Sequence, residues 1–160
     1  MDDMGTQKKA GFTLIEFIAV LMIMGILSVV IVSRWTLSDT ELIGQIEVIK
    51  SHLRYAQSRA MSSSSNWYVH FETTPAQYTL YKAGDGSKHF PGETDDNMTL
   101  KPGISFTAAL TAAPYVIFDY LGRPYLNSSG TLGTQIAEVT TIITSSAGNI
   151  EIKPETGFIP

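Results

Sequence analysis

Glu16 is the only ionisable side chain in an apolar run that extends from Phe12 to Val32. A carboxylate costs roughly 2.5–3.5 kcal/mol at the centre of a bilayer helix, so in such a stretch it calls for a partner. If the chain is cut after Gly11, Phe12 carries a free amine close to Glu16. Two helices packed side by side with an axial offset then bring the Glu16 of one chain to the amine of another. At an effective dielectric of about 20, such a pair at about 4 Å attracts by roughly 4 kcal/mol. Without cleavage, Glu16 is a helix-end carboxylate near the headgroups, where the N-terminal end of the helix dipole favours negative charge.

No other set of residues competes for a chemical role. His52, His70 and His89 are far apart and have no second ligand at metal-binding spacing, which disfavours zinc. His52 and His70 read as surface or boundary residues. The acids Asp85, Glu93, Asp95 and Asp96 share a loop with Gly84, Gly86 and Gly92, and their oxygens are of the kind that hold calcium. They do not follow the EF-hand spacing, so a solvated acidic loop is the better reading. Lys50, Arg54 and Arg59 could form a small basic patch on a helix, but Glu47 offsets part of it and no aromatic ladder accompanies it, so a solvated helix face is the better reading. There is no Gly-x-Ser-x-Gly elbow among the many serines. These absences point away from an enzyme and imply no cofactor and no metal.

Composition narrows the class. Hydrophobic residues make up 44% of 160 residues and charged residues 16%, which leaves room for one modest domain beside the apolar run. The net charge of -4 and pI of about 5.3 disfavour nucleic acid, whose binding needs clustered Lys and Arg. With no cysteine, neither a disulfide nor a thiolate site is possible.

The elements that must position Glu16 follow from periodicity. Lys8 and Lys9 before the run bias the N-terminus to the cytoplasmic side. The run is about as long as a bilayer needs and has no convincing signal-peptidase site after it. No proline interrupts Phe12 to Ser62. Beyond Arg34, the residues Leu42, Ile46, Ile49, Leu53, Ala56 and Ala60 recur at alternating steps of four and three, placing one apolar face on an amphipathic helix. One continuous helix is expected, too long to pack wholly on its own domain. Ser62 to Ser65 then breaks the pattern.

Trp67–Glu72 and Gln77–Lys82 alternate with period two around a Thr-Thr-Pro-Ala turn and read as an antiparallel hairpin. Residues 83–97 read as a long surface loop. Short strands are expected at 98–100, 104–107 and 115–120, a longer one at 136–144 and a last one at 150–152. The expected fold is α+β: a long N-terminal helix, transmembrane then amphipathic, on an antiparallel β-sheet domain. The expected segments are 1–11 (leader), 12–34 (transmembrane), 35–62 (amphipathic) and 63–160 (globular).

Lys9-Ala10-Gly11-Phe12-Thr13-Leu14-Ile15-Glu16 and the run after it resemble the processing signal of type IV pilins and type II secretion pseudopilins. The resemblance implies that prepilin peptidase cuts after Gly11 and methylates Phe12, and that Glu16 is the assembly glutamate. Phe118-Asp119-Tyr120-Leu121-Gly122-Arg123-Pro124 and the segment Ile150 to Gly157 resemble the closing strands of H-type minor pilins and pseudopilins. The sequence departs from the family in having no helix proline near the membrane exit, and it lacks the cysteines of the major-pilin loop. It has no arginine after Arg123, so the C-terminal arginines of DNA-binding minor pilins have no counterpart.

The resemblance implies a structural subunit, of the minor kind, in a pilus-like filament or pseudopilus. Its partners would be other pilin or pseudopilin subunits, the peptidase, an inner-membrane assembly platform and membrane lipid. The location would be the inner membrane, single-pass, with the C-terminal domain in the periplasm, and then the filament. The alternative is a membrane-anchored module that binds DNA or another ligand. A secreted hydrolase is the third possibility, and it lacks a nucleophile, base or metal set.

Overall fold

The computed structural model describes residues 13–32 and 39–160, with the side chains of the first helix described through residue 26. The chain divides into two compact units, Met1–Thr36 and Leu37–Pro160. In the first unit, helix α1 spans Leu14–Val32. Every described side chain on it is exposed, Leu14 and Ile15 most of all. Among the described residues no helix is long and apolar enough to cross a membrane. The 12–34 segment expected to span one begins and ends outside them. Continuity between the two expected helix halves falls on 33–38, also outside the described residues.

The second unit is built on helix α2, Asp39–Ser63. Leu42, Ile46, Ile49, Leu53, Ala56 and Ala60 are all buried, so the apolar stripe read from spacing is the face that meets the core. Strands β1 (Trp67–Thr73) and β2 (Ala76–Lys82) form the expected hairpin, with Trp67 opposite Lys82 and Val69 opposite Leu80. The alternation is realised as Trp67, Val69 and Phe71 inward.

The remaining strands are β3 (Gly86–Lys88), β4 (Asn97–Thr99), β5 (Ile104–Phe106), β6 (Tyr115–Phe118), β7 (Pro124–Asn127), β8 (Thr134–Gln135), β9 (Thr140–Ser145) and β10 (Gly148–Ile152). A short helix α3, Ala108–Ala112, lies between β5 and β6. The first sheet runs β3-β2-β1-β6-β7-β8, with β4 also paired to β2, and the second runs β10-β9-β5. All described pairings are antiparallel. Helix α2 packs on β1 and β6 of one sheet and on β10 of the other. One core therefore joins Val69, Leu80 and Val116 to Ile142, Ile143 and Ile150. The α+β architecture is as expected, with two sheets where one was anticipated.

Three local expectations need correction. The 83–97 loop contains β3, an edge strand paired to Leu80–Lys82. Its side chains are largely exposed, so no alternation marks it in sequence. The 136–144 run is not one strand. The Ile136 N–H closes on the Pro124 carbonyl of the first sheet, and the chain crosses to the second sheet before β9 begins at Thr140. Helix α3 was not anticipated, although Thr107 caps it by accepting from the Leu110 N–H and an alanine-rich stretch follows.

Leu53 is fully buried, and truncation to alanine is expected to cost about 2–5 kcal/mol. Val48 lies on the exposed side of the same helix, and Val48→Ala should stay within about 0.5 kcal/mol. Urea unfolding followed by tryptophan fluorescence measures both.

Candidate functional site

The N-terminal site begins at the first turn of α1. Glu16 N–H donates to the Thr13 carbonyl at 3.1 Å and lies 3.4 Å from the Thr13 hydroxyl. Phe17 N–H also donates to the Thr13 carbonyl, at 3.2 Å. Thr13-Leu14-Ile15-Glu16 thus has the form of a capping box with threonine at the N-cap and glutamate at N3. The Thr-x-x-Glu spacing is the sequence signal for this cap. The Glu16 side chain is exposed, and none of the ion pairs among the described residues involves it. Gly11 and Phe12, the expected cleavage and methylation positions, lie outside the described residues.

The polar side chains of α2 do a different job in the second unit. Gln57 Nε2 donates to the Gly122 carbonyl at 2.8 Å and to the Thr156 carbonyl at 2.6 Å. Arg54 donates from Nε and Nη2 to the Ile159 carbonyl, at 3.1 and 2.8 Å. Gln45 uses both ends of its amide: Nε2 donates to Thr99 O, and Oε1 accepts from Lys101 N–H. These clamps satisfy backbone groups that no strand pairs. Sequence reasoning missed all three, since nothing local marks an amide whose partner is far along the chain.

The three cations of α2 do not act as one patch. Lys50 pairs with Glu47 at 2.9 Å, Arg54 is taken up by Ile159, and the Arg59 guanidinium sits 5.1 Å from the Trp67 ring centroid. Trp67 itself donates from Nε1 to Ser63 Oγ at 2.7 Å, so the serine segment 62–65 helps seat the first strand. Two of the four acids of the 83–97 loop, Asp85 and Asp96, are likewise committed locally. Asp85 lies between Lys82 at 3.6 Å and Lys88 at 3.0 Å. Asp96 accepts from Ser87 and faces His89. Among the described residues no group of three His, Asp or Glu is placed to hold a metal ion.

His52 is buried rather than a surface or boundary residue. Its ring stacks on Phe90 with centroids 4.0 Å apart, and Nδ1 is 2.9 Å from the Tyr78 hydroxyl. Phe90, from the presumed surface loop, is what covers it. His70 is half-buried on the other face of β1, stacked on Tyr115 at 4.2 Å within a cluster that includes Tyr68 and Tyr81. Burial holds His52 below the ordinary histidine pKa, with Glu93 only partly opposing it. Burial does the same for His70 against Glu72.

Asp119 braces the turn before β7. Its carboxylate accepts from the N–H groups of Leu121 and Arg123, from Arg123 Nε at 2.8 Å and from the Tyr125 hydroxyl. Burial opposes its ionisation, but the bonds from Arg123 and Leu121 outweigh it and hold the carboxyl below the usual range.

Residues 6–32 match the family described as the prokaryotic N-terminal methylation motif. A comparison with curated proteins returned no match. Among solved structures, the minor pseudopilin EpsH from the Type 2 Secretion System of Vibrio cholerae is similar over 77% of this chain and 94% of that chain, at 12% identity and a TM-score of 0.47.

Gly157 sits at φ +62°, and a Cβ there would stand 2.6 Å from both Gly122 O and Gln57 Nε2. Gly84 has φ +79° with nothing within 4 Å. In thermal melts Gly84→Ala should lose only the left-handed backbone penalty, about 1–2 kcal/mol, and Gly157→Ala clearly more. The histidines predict a pH dependence. Each binds a proton more readily in the unfolded chain, so stability is complete above about pH 6.5 and declines as pH falls from there through the folded values. The Asp119 share persists to lower pH and is lost only as pH falls below its ordinary carboxylate range. His52→Gln should reduce the first decline to the His70 share and leave the second unchanged, as read from unfolding free energies across a pH series.

Proposed function

We propose that this chain is a structural subunit of a type IV pilus-like filament or type II secretion pseudopilus, of the minor kind, and acts without catalytic chemistry of its own. The observation that carries this is the match of residues 6–32 to the methylation motif, in which Glu16 lies in the first turn of a helix apolar and exposed on all described sides. Prepilin peptidase cuts after Gly11 and methylates Phe12, leaving a cationic amine at the new N-terminus. Before assembly the segment 12–34 is held in the inner membrane, with the C-terminal unit in the periplasm. During assembly, at the inner-membrane platform, it exchanges lipid for the helices of neighbouring subunits, so little apolar surface meets water. The one carboxylate in that surface pairs with the Phe12 amine of a neighbour. In a poorly solvated setting the attraction is strong and an unpaired carboxylate is costly, so the pair favours one axial register between subunits.

Glu16→Ala should be processed normally, with intact mass showing loss of residues 1–11, yet enter filaments at a fraction of the wild-type level. Wild-type incorporation by that variant would sink the pairing. A bulky residue at position 11, such as Gly11→Leu, should leave the unprocessed mass.

A further inference from the structure

Helix α2 and strand β4 bound a groove of about 650 Å³ in the second unit, lined by Gly44 and Val48 from the helix and by Met98 and Thr99 from the strand. β4 is an edge strand. It pairs with β2 on one side, Tyr78 standing opposite Met98, and faces α2 on the other. Leu100 N–H closes on Ala76 O at 2.8 Å, and hydrogen-bonded pairs alternate along an antiparallel ladder. Met98 and Leu100 therefore turn their backbone groups to β2, while Asn97, Thr99 and Lys101 turn theirs to the groove.

Gln45 already meets two of these groups. Its Nε2 donates to Thr99 O at 3.1 Å, and its Oε1 accepts from Lys101 N–H at 2.9 Å. The amide thus takes the place of one residue of a neighbouring strand. Further along β4, Thr99 N–H and both backbone groups of Asn97 face the groove with no partner among the described residues. An edge of this kind is a template for one more strand.

The walls of the groove fit such a strand. Gly44 weakens the interior of α2, yet a Cβ there would meet nothing of this chain within 4 Å, so the space above it is open to a second backbone. Glu93 and Asp95 line the same groove and belong to no ion pair among the described residues. The lining cation, Lys101, is held by Glu41 at 3.3 Å. Negative charge without a partner therefore stands beside an apolar lining and a free strand edge.

We propose that the α2–β4 groove binds an extended segment of a different protein, which adds to β4 as a strand and sets a lysine or arginine against Glu93 and Asp95. Backbone bonds to Asn97 and Thr99 supply affinity, and alternate side chains reach Val48 and Met98 or the acids, as at other strand-addition sites. The cation comes from another chain because those of this unit are largely committed. Lys50, Lys82, Lys88 and Arg123 face acids, and Arg54 is held by Ile159 O. The inference stands on the second unit alone and holds whether or not Glu16 pairs as proposed above.

The probe is a short, end-blocked, dye-labelled peptide alternating valine and lysine. It is titrated with the full-length chain in non-ionic detergent and read by fluorescence anisotropy. Saturable binding at sub-millimolar protein is expected, and none for the valine–glutamate counterpart. Only one alternate set of peptide N–H groups faces β4, so one of the two alternately N-methylated forms should bind about tenfold more weakly. Gly44→Leu fills the groove from an open helix face and should abolish binding without lowering the thermal midpoint. Glu93→Gln combined with Asp95→Asn should weaken binding several-fold, and added salt should narrow that difference. Equal binding by Gly44→Leu would overturn the groove as the site, and undiminished binding by both N-methylated forms would overturn strand addition. Absence of saturable binding overturns the proposal outright. Competition by unlabelled Gly44→Leu chain, whose own groove is filled, would make a second copy the occupant and overturn the assignment to a different protein.

Discussion

The second unit depends on one helix face being buried against two sheets at once. Six residues of α2, from Leu42 to Ala60, are withdrawn from water, and five of them, Ile46 to Ala60, meet strands of both sheets within a single cluster. At roughly 25 cal/mol per Å² of apolar surface, a stripe of this kind is the main source of stability in a chain without a disulfide. The alanines at 56 and 60 let the helix lie close to the sheet, and the larger residues at 46, 49 and 53 fill the space between the layers. Both sheets are then fixed relative to α2, and the strand order follows from which edges remain to be paired.

Orientation of the turns is set by polar groups on the flanks of that same helix. Gln45, Arg54 and Gln57 each give their hydrogen bonds to backbone of a distant segment. A buried or half-buried carbonyl without a donor is costly, so these side chains decide where the ends of the chain's loops come to rest. The clamps of Arg54 and Gln57 fix the backbone beside Leu121 and Phe158, whose side chains stay exposed. Stability and display of an apolar surface are therefore consequences of one arrangement, and the tight approach of Gly157 to Gly122 leaves no room to vary it.

The first unit obeys a different constraint. Its described side chains are exposed and, Thr13 and Glu16 apart, apolar or glycine. Apolar surface of this extent is unfavourable in water and favours lipid or neighbouring helices. A single carboxylate in such a surface carries far more information than a charge on a solvated face, because its pairing is strong where water is scarce.

Local order in the chain determined the parts whose physics is local. The motif from Gly11 to Glu16 is contiguous, the stripe from Leu42 to Ala60 repeats with the helical period, and the hairpin from Trp67 to Lys82 alternates around a short turn. Each could be read because backbone geometry maps near neighbours in sequence onto one face or one register. The tertiary structure alone decided the rest. Ile136 to Thr144 is a continuous β-branched run, yet it is divided between two sheets by pairing with strands that sequence does not announce. β3 is an exposed edge whose only order comes from β2, so no hydrophobic pattern marks it. His52 looked like a boundary residue until Phe90 closed over it, and Gln57 is an ordinary helix glutamine until Gly122 and Thr156 arrive from far along the chain. In each case the deciding partner is remote, and burial or hydrogen bonding with a remote partner leaves no periodic trace.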